Sequence, residues 1–174
     1  MARDRKIAPV FQGKLPYALP EFSQLFDLVT LFDVIEHIKE DETSLQNCCS
    51  LLKPGGHIIL TVPAFNFLWS QHDDENHHQR RYRRRDLLEL SQRCGLTLNY
   101  VSYFNFWLFP AVAAVRLVRK IIPYQAAWQD MRQPNKFTNK VLQDILSSER
   151  HILRRSSLPF GISLIAVMSV NCES

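Results

Sequence analysis

The sequence predicts an α/β fold built on a mainly parallel sheet. Three observations carry that expectation. A short apolar run without alternation, "FDLVTLF" at 26–32, has the pattern of a strand covered on both faces, and "HIILTV" at 57–62 is a second strand-like run rich in β-branched residues. Stretches of helical period stand between the strands. Turn chemistry punctuates the alternation, at "KPGG" (53–56) and at Gly95. Strands separated by helices are joined by right-handed crossovers, which makes successive strands parallel.

The elements follow in chain order. "KIAPVFQG" (6–13) is a candidate short strand, weakened by Pro9, which has no N–H for a ladder. "KLPYALPEF" (14–22) is a loop marked by proline. Residues 26–32 form the first strong strand. Residues 40–52 form a helix with Leu45, Cys48, Cys49, Leu51 and Leu52 on its apolar side, stopped by Pro54, Gly55 and Gly56. Residues 57–62 are a second strand, rich in β-branched side chains. A polar loop spans 63–85. Residues 86–94 are a helix ended by Gly95, and "LTLNYVSYF" (96–104) is a third strand. An apolar helix at 107–120 and a longer amphipathic one at 137–154 precede the closing strand in "PFGISLIAVMSV" (159–170).

Composition bounds the function. The 174 residues fit one domain, with 46% hydrophobic and 22% charged residues as in ordinary globular proteins. A net charge of +4 is too small to argue for nucleic acid as a partner. Cys48, Cys49, Cys94 and Cys172 form no C-x-x-C pair and are read as reduced thiols of a cytoplasmic protein. The opening "MARDRKIAPV" has charge but no apolar core of a secretory signal.

The first strand ends in chemistry. Asp33, Glu36 and His37 follow Leu31 and Phe32 within five positions. In an open α/β sheet, ligands sit just beyond the carboxyl ends of the strands. The residues alone leave two readings: a helix-capping Asp33 with a surface Glu-His pair, or a site.

Five stretches, "LPEFSQLFDLVTLFDVIEHI", "LLKPGGHIILTVPA", "LWSQHDDENHHQRRY", "SYFNFWLFP" and "LPFGISLIAV", in this order and spacing resemble a class I S-adenosylmethionine-dependent methyltransferase over residues 13–170. The resemblance implies a Rossmann-like sheet whose last strand is antiparallel, and methyl transfer to a small-molecule or lipid-like acceptor. It implies that Leu19, Pro20, Leu31, Phe32 and Asp33 face the methyl donor. It implies an acceptor-side loop at 63–85 in which His72, Asp73, His78, Arg81 and Tyr82 hold recurrent positions. Such enzymes also carry a Gly-rich loop after their first strand and an acidic residue that binds the ribose. Here Gly13, Gly55, Gly56, Gly95 and Gly161 give no G-x-G spacing. The expectation is therefore a single partial domain over 1–174, lacking the first βαβ part. Residues 1–25 would be a remnant of the donor-side half and 26–174 the C-terminal half.

Each cluster has a catalytic and a plain reading. Glu36 and His37 are the candidate catalytic pair, His37 as a base because imidazole titrates near neutrality. Asp33, Glu36 and His37 are also weak candidates for a divalent metal, an arrangement similar to that of ubiquinone-pathway O-methyltransferases. "HDDENHHQRRY" (72–82) lacks the H-x-x-x-H spacing of a helical metal site. "RRYRRRD" (80–86) is too short a footprint for nucleic acid; its plain reading is a solvated helix start, with an anionic acceptor or a membrane surface as a middle option. "FWLFPAVAAVRLVRK" (106–120) is too short to span a bilayer and is either a buried helix or a peripheral membrane contact. The alternative to an enzyme is a non-catalytic α/β interaction module. An open edge on the strand at 26–32 would call for cover by "KIAPVFQG" or by a second copy in a homo-oligomer.

Overall fold

The computed structural model describes residues 9–121 and 136–170. Four strands form one sheet: β1 (Phe26–Phe32), β2 (Leu52–Pro63), β3 (Leu96–Phe104) and β4 (Ser163–Val170). Their order is β1-β2-β4-β3. β1 and β2 are parallel, whereas β4 runs antiparallel to both β2 and β3. This is the expected mainly parallel arrangement with a reversed last strand. The helices are α1 (Asp41–Cys49), α2 (Gln71–Glu75), α3 (Arg84–Arg93), α4 (Phe109–Ile121) and α5 (Lys136–Leu153).

The core lies on one face of the sheet. Alternation puts Ile58, Leu60 and Val62 of β2 and Leu164, Ala166 and Met168 of β4 inward, all fully buried. Leu45 and Cys48 of α1 and Leu87 and Leu90 of α3 close over them. α3 begins where the Asp86 carboxylate accepts the Arg83 N–H at 2.7 Å and stops at Gly95, whose φ of 70° suits a residue without Cβ. Cys48, Cys49 and Cys94 are free thiols. Burial pushes them up to about 11, 11 and 12, which keeps them protonated and unreactive. Cys172 lies outside the described residues.

Three expectations need correction. The "KPGG" turn does not stop the helix. α1 ends at Cys49, and Lys53–Gly56 lie inside β2, where the pairing jumps from Phe26 opposite Leu52 to Leu28 opposite His57. Gly55, at φ 75°, absorbs the extra residues as a bulge. β1 is not buried on both faces, and among the described residues it is an edge strand with β2 as its sole strand neighbour. Only Leu31 of the strand is buried, while Leu28 and Phe32 are 47% and 57% exposed. Finally, residues 9–13 of "KIAPVFQG" form no strand and do not pair with β1; Lys6, Ile7 and Ala8 fall outside the described residues. Instead Phe11, Phe22 and Phe26 pack edge to face in series, with ring centroids 5.5 and 5.0 Å apart.

Candidate active site

The end of β1 is turned by Asp33, a non-glycine residue at φ 50°. Aspartate is one of the few residues with a side chain that enters this left-handed conformation readily. Its N–H donates to the Thr61 carbonyl oxygen, and the Thr61 hydroxyl donates to Asp33 Oδ1, both at 3.1 Å. Asp33 is therefore a turn residue tied to β2 and caps no helix. The chain then makes a single 3-10 turn over Ile35–His37. Ile35 plugs the core, and its neighbours Glu36 and His37 are carried to the carboxyl end of the sheet.

The loop at 63–85 folds back over this turn. The Gln79 N–H donates to the Glu36 carbonyl at 2.7 Å. The Tyr82 N–H donates to the Pro63 carbonyl at the end of β2 and the Tyr82 carbonyl accepts the Phe65 N–H, both at 2.9 Å, which closes the loop at its base. Asp73 is its hub. This fully buried carboxylate accepts the Ser70 N–H at 2.8 Å, Arg81 Nε at 2.8 Å and Arg81 Nη2 at 2.7 Å, and it lies 2.9 Å from His78 Nδ1. Arg81 also donates to the Ala64 carbonyl at 2.9 Å. Burial alone would raise the Asp73 carboxyl, but the bonds from Arg81, His78 and Ser70 outweigh it and hold the group below its usual 3.8. A second cation, Arg116 of α4, reaches within 4.0 Å of Asp73 and donates to the Leu68 carbonyl.

Glu36, His37 and His78 meet where loop and turn touch. His37 and His78 pack edge to face with centroids 4.6 Å apart, and His37 Nε2 is 4.0 Å from Glu36 Oε1. Glu36 is 1% exposed, and its Oε2 has no hydrogen-bond partner. Burial, aided by the nearby Asp33 charge, pushes its carboxyl up to about 7. Ligand atoms of Glu36, His37 and His78 all lie within 4.8 Å of one another, so these three could hold a divalent ion. The orphaned oxygen and the hydrogen bond that orients His78 from behind suit that use. The metal set expected from the sequence is thus altered: Asp33 is taken up by Thr61, and His78 stands in its place.

Beside the cluster runs a cleft of ≈ 1580 Å³, lined by Leu19, Pro20, Thr30, Asp33, Val34 and His37 among others. Of the residues assigned to the donor side, Leu19, Pro20 and Asp33 line it. Leu31 points into the core, and Phe32 is exposed outside the lining residues. Of the acceptor-side residues, Asp73, His78 and Arg81 join the cluster. His72 stays exposed on α2, with a ring nitrogen 3.2 Å from Asn76 Nδ2. Tyr82 is buried away from the cleft and donates to Asp41 Oδ2 at 2.9 Å; burial first, then the Asp41 charge, raises its phenol. Ser70 went unnoticed in the sequence, although Ser-x-x-Asp at 70–73 has the spacing of a capping box. Arg116 has no local signal, because it arrives from α4.

The chain is similar to known proteins by sequence and by fold. The profile described as "Methyltransferase domain" matches residues 3–101, more than half of the chain. The human mitochondrial ubiquinone biosynthesis O-methyltransferase is 46% identical over 61 residues, covering 31% of this chain and 16% of that protein. The ubiquinone biosynthesis O-methyltransferase of Coxiella burnetii is 33% identical over 49 residues, covering 28% and 21%. This chain therefore spans less than a quarter of either relative's length. Among solved structures, phosphoethanolamine N-methyltransferase 2 of Haemonchus contortus in complex with S-adenosyl-L-methionine superposes with a TM-score of 0.46 at 15% identity, over 84% of this chain and 33% of that one. On the profile match across 3–101, the chain belongs to the methyltransferase-domain family.

Proposed function

We propose that this chain forms the acceptor-side part of an S-adenosylmethionine-dependent methyltransferase acting on a small-molecule or lipid-like acceptor. The observation that supports it is the Glu36–His37–His78–Asp73 chain of contacts beside the cleft at the carboxyl end of β1. The cleft suits one side of the donor, with apolar walls from Leu19, Pro20 and Val34 and the Asp33 carboxylate at the strand end. When bound, the donor's sulfonium supplies the methyl group. His37, exposed to the cleft, accepts the proton of the acceptor hydroxyl. Glu36 sits behind it and stabilises the imidazolium that results. Asp73 fixes the ring of His78, and His78 fixes the ring of His37 from the side. Arg81 and Ser70 keep Asp73 ionised so that this orientation persists. Transfer then needs alignment of methyl and nucleophile more than further chemistry from the protein.

A peripheral membrane contact through 107–120 belongs to the same proposal. Trp107, Val115, Leu117 and Val118 are each about half exposed, which favours an interfacial role over a fully buried helix. Among the described residues no helix is long and apolar enough to cross a membrane. A cytoplasmic location is part of the proposal too. Methyl transfer from labelled donor, assayed on the complete domain with hydroxylated acceptors, tests the reading. A domain that binds donor yet transfers nothing to any of them, with His37→Ala leaving donor and acceptor binding unchanged, would favour the non-catalytic module.

A further inference from the structure

The arginine run at 80–85 is only partly used by the site. Arg80 pairs with Asp41 at 2.8 Å, Arg81 with Asp73 at 2.7 Å and Arg85 with Glu89 at 2.6 Å. Arg84 has no carboxylate within 4.0 Å among the described residues. It opens instead onto a groove of ≈ 840 Å³ on the far edge of the sheet, where Arg85, Arg154 and Arg155 also line the wall. This groove shares no lining residue with the cleft beside His37.

Two separate elements deliver these charges. Arg84 and Arg85 begin α3, and Arg154 and Arg155 follow the end of α5, 70 positions along the chain. The approach is fixed by Tyr100 of β3, whose hydroxyl lies 3.0 Å from the Leu153 carbonyl and 3.2 Å from that of Ser156. Arg154 and Arg155, like Arg84, have no carboxylate partner within 4.0 Å among the described residues. Like charges brought together on a concave surface repel, and among the described residues the compensation comes from the Glu89 carboxylate on Arg85 and from Asp86 beside it. The floor is apolar, from Leu98, Val101 and Leu153, and such low-dielectric walls focus the field of the charges above them. Ser156 and Ser157 add hydroxyl donors at the rim. Because the Asp86 carboxylate occupies the α3 N-terminus, recognition would come from the guanidinium groups, whose fork geometry matches phosphate oxygens.

We infer that this groove binds a phosphomonoester group, with Arg84, Arg154 and Arg155 as its ligands, on a surface separate from the methyl-transfer site. The same group can come from a free phosphorylated metabolite or from a lipid headgroup. Calorimetry of the chain with glycerol 3-phosphate addresses the first source. Co-sedimentation with phosphatidylcholine vesicles, with and without phosphatidic acid, addresses the second. Saturable binding in either arm, weakened at least about 10-fold by the exposed double change Arg84→Gln/Arg155→Gln and unaffected by the equal loss of two charges in Lys53→Gln/Lys140→Gln, which lie outside the groove, is the expected result. Melting temperatures of all variants confirm that they fold. Binding in the soluble arm identifies a metabolite, and binding confined to the phosphatidic acid vesicles identifies a headgroup. No saturable binding in either arm, equal binding by the double variant, or tighter binding of a single-stranded oligonucleotide than of both phosphomonoester probes would overturn the inference.

Discussion

Glu36 couples the site to pH. Its folded value of about 7 lies above the ordinary 4.5, so between those values the folded protein holds a proton that the unfolded chain has released. That stabilisation is complete below pH 4.5 and is lost as pH rises through about 7. The shift corresponds to about 3 kcal/mol. Urea denaturation across this range should show wild type losing stability on the alkaline side, and Glu36→Gln should remove that slope. Asp73 has the opposite sign. Its stabilisation is full above 3.8 and falls away only as pH drops through its lower folded value. Arg81→Met strands the Asp73 charge and should cost about 3–5 kcal/mol in chemical denaturation. The sequence showed Glu36 and His37 as chemistry because polar residues interrupted an apolar pattern. It did not show that Asp33 turns back to Thr61 or that His78 replaces it beside Glu36, since both depend on contacts across more than 25 residues.

At the level of elements, close approach decides what can change. A Cβ at Gly161 would sit 2.2 Å from the Phe104 carbonyl oxygen, where β4 starts beside the end of β3. Gly161→Ala should therefore cost about 3 kcal/mol or more, because backbone must move. A Cβ at Gly95 would meet nothing within 4 Å, so Gly95→Ala should cost only the strain of its positive φ, about 1–2 kcal/mol. Melting curves of the two variants compare these directly. β2 was legible as a strand because β-branched residues crowd 57–62. The bulge in β2 was not legible, since proline and two glycines signal a turn and a helix stop equally well.

Among the described residues the molecule is a Rossmann-like methyltransferase sheet whose β1 edge has no strand partner besides β2. Crossover connections made its parallel strands legible, and the reversed β4 came from family resemblance. What lies against β1 is a tertiary matter that periodicity does not encode. With Leu28 and Phe32 half exposed and a strand edge free among the described residues, the chain should associate as concentration rises. Sedimentation of wild type against Leu28→Lys/Phe32→Lys should show that association reduced. The sequence has no G-x-G loop to cradle the donor. Losing two or three charge-assisted hydrogen bonds, at about 1.5–3 kcal/mol each, weakens binding by several orders of magnitude. Calorimetry should thus find no micromolar site for S-adenosylmethionine on this chain alone. The most direct test of the proposed chemistry is His37→Ala in the complete domain, with turnover and melting temperature measured together. The account predicts a fall in turnover of about 10²–10⁴ with bound donor and an almost unchanged melting temperature. Turnover that is untouched, or that falls only as far as the folded fraction falls, would contradict it.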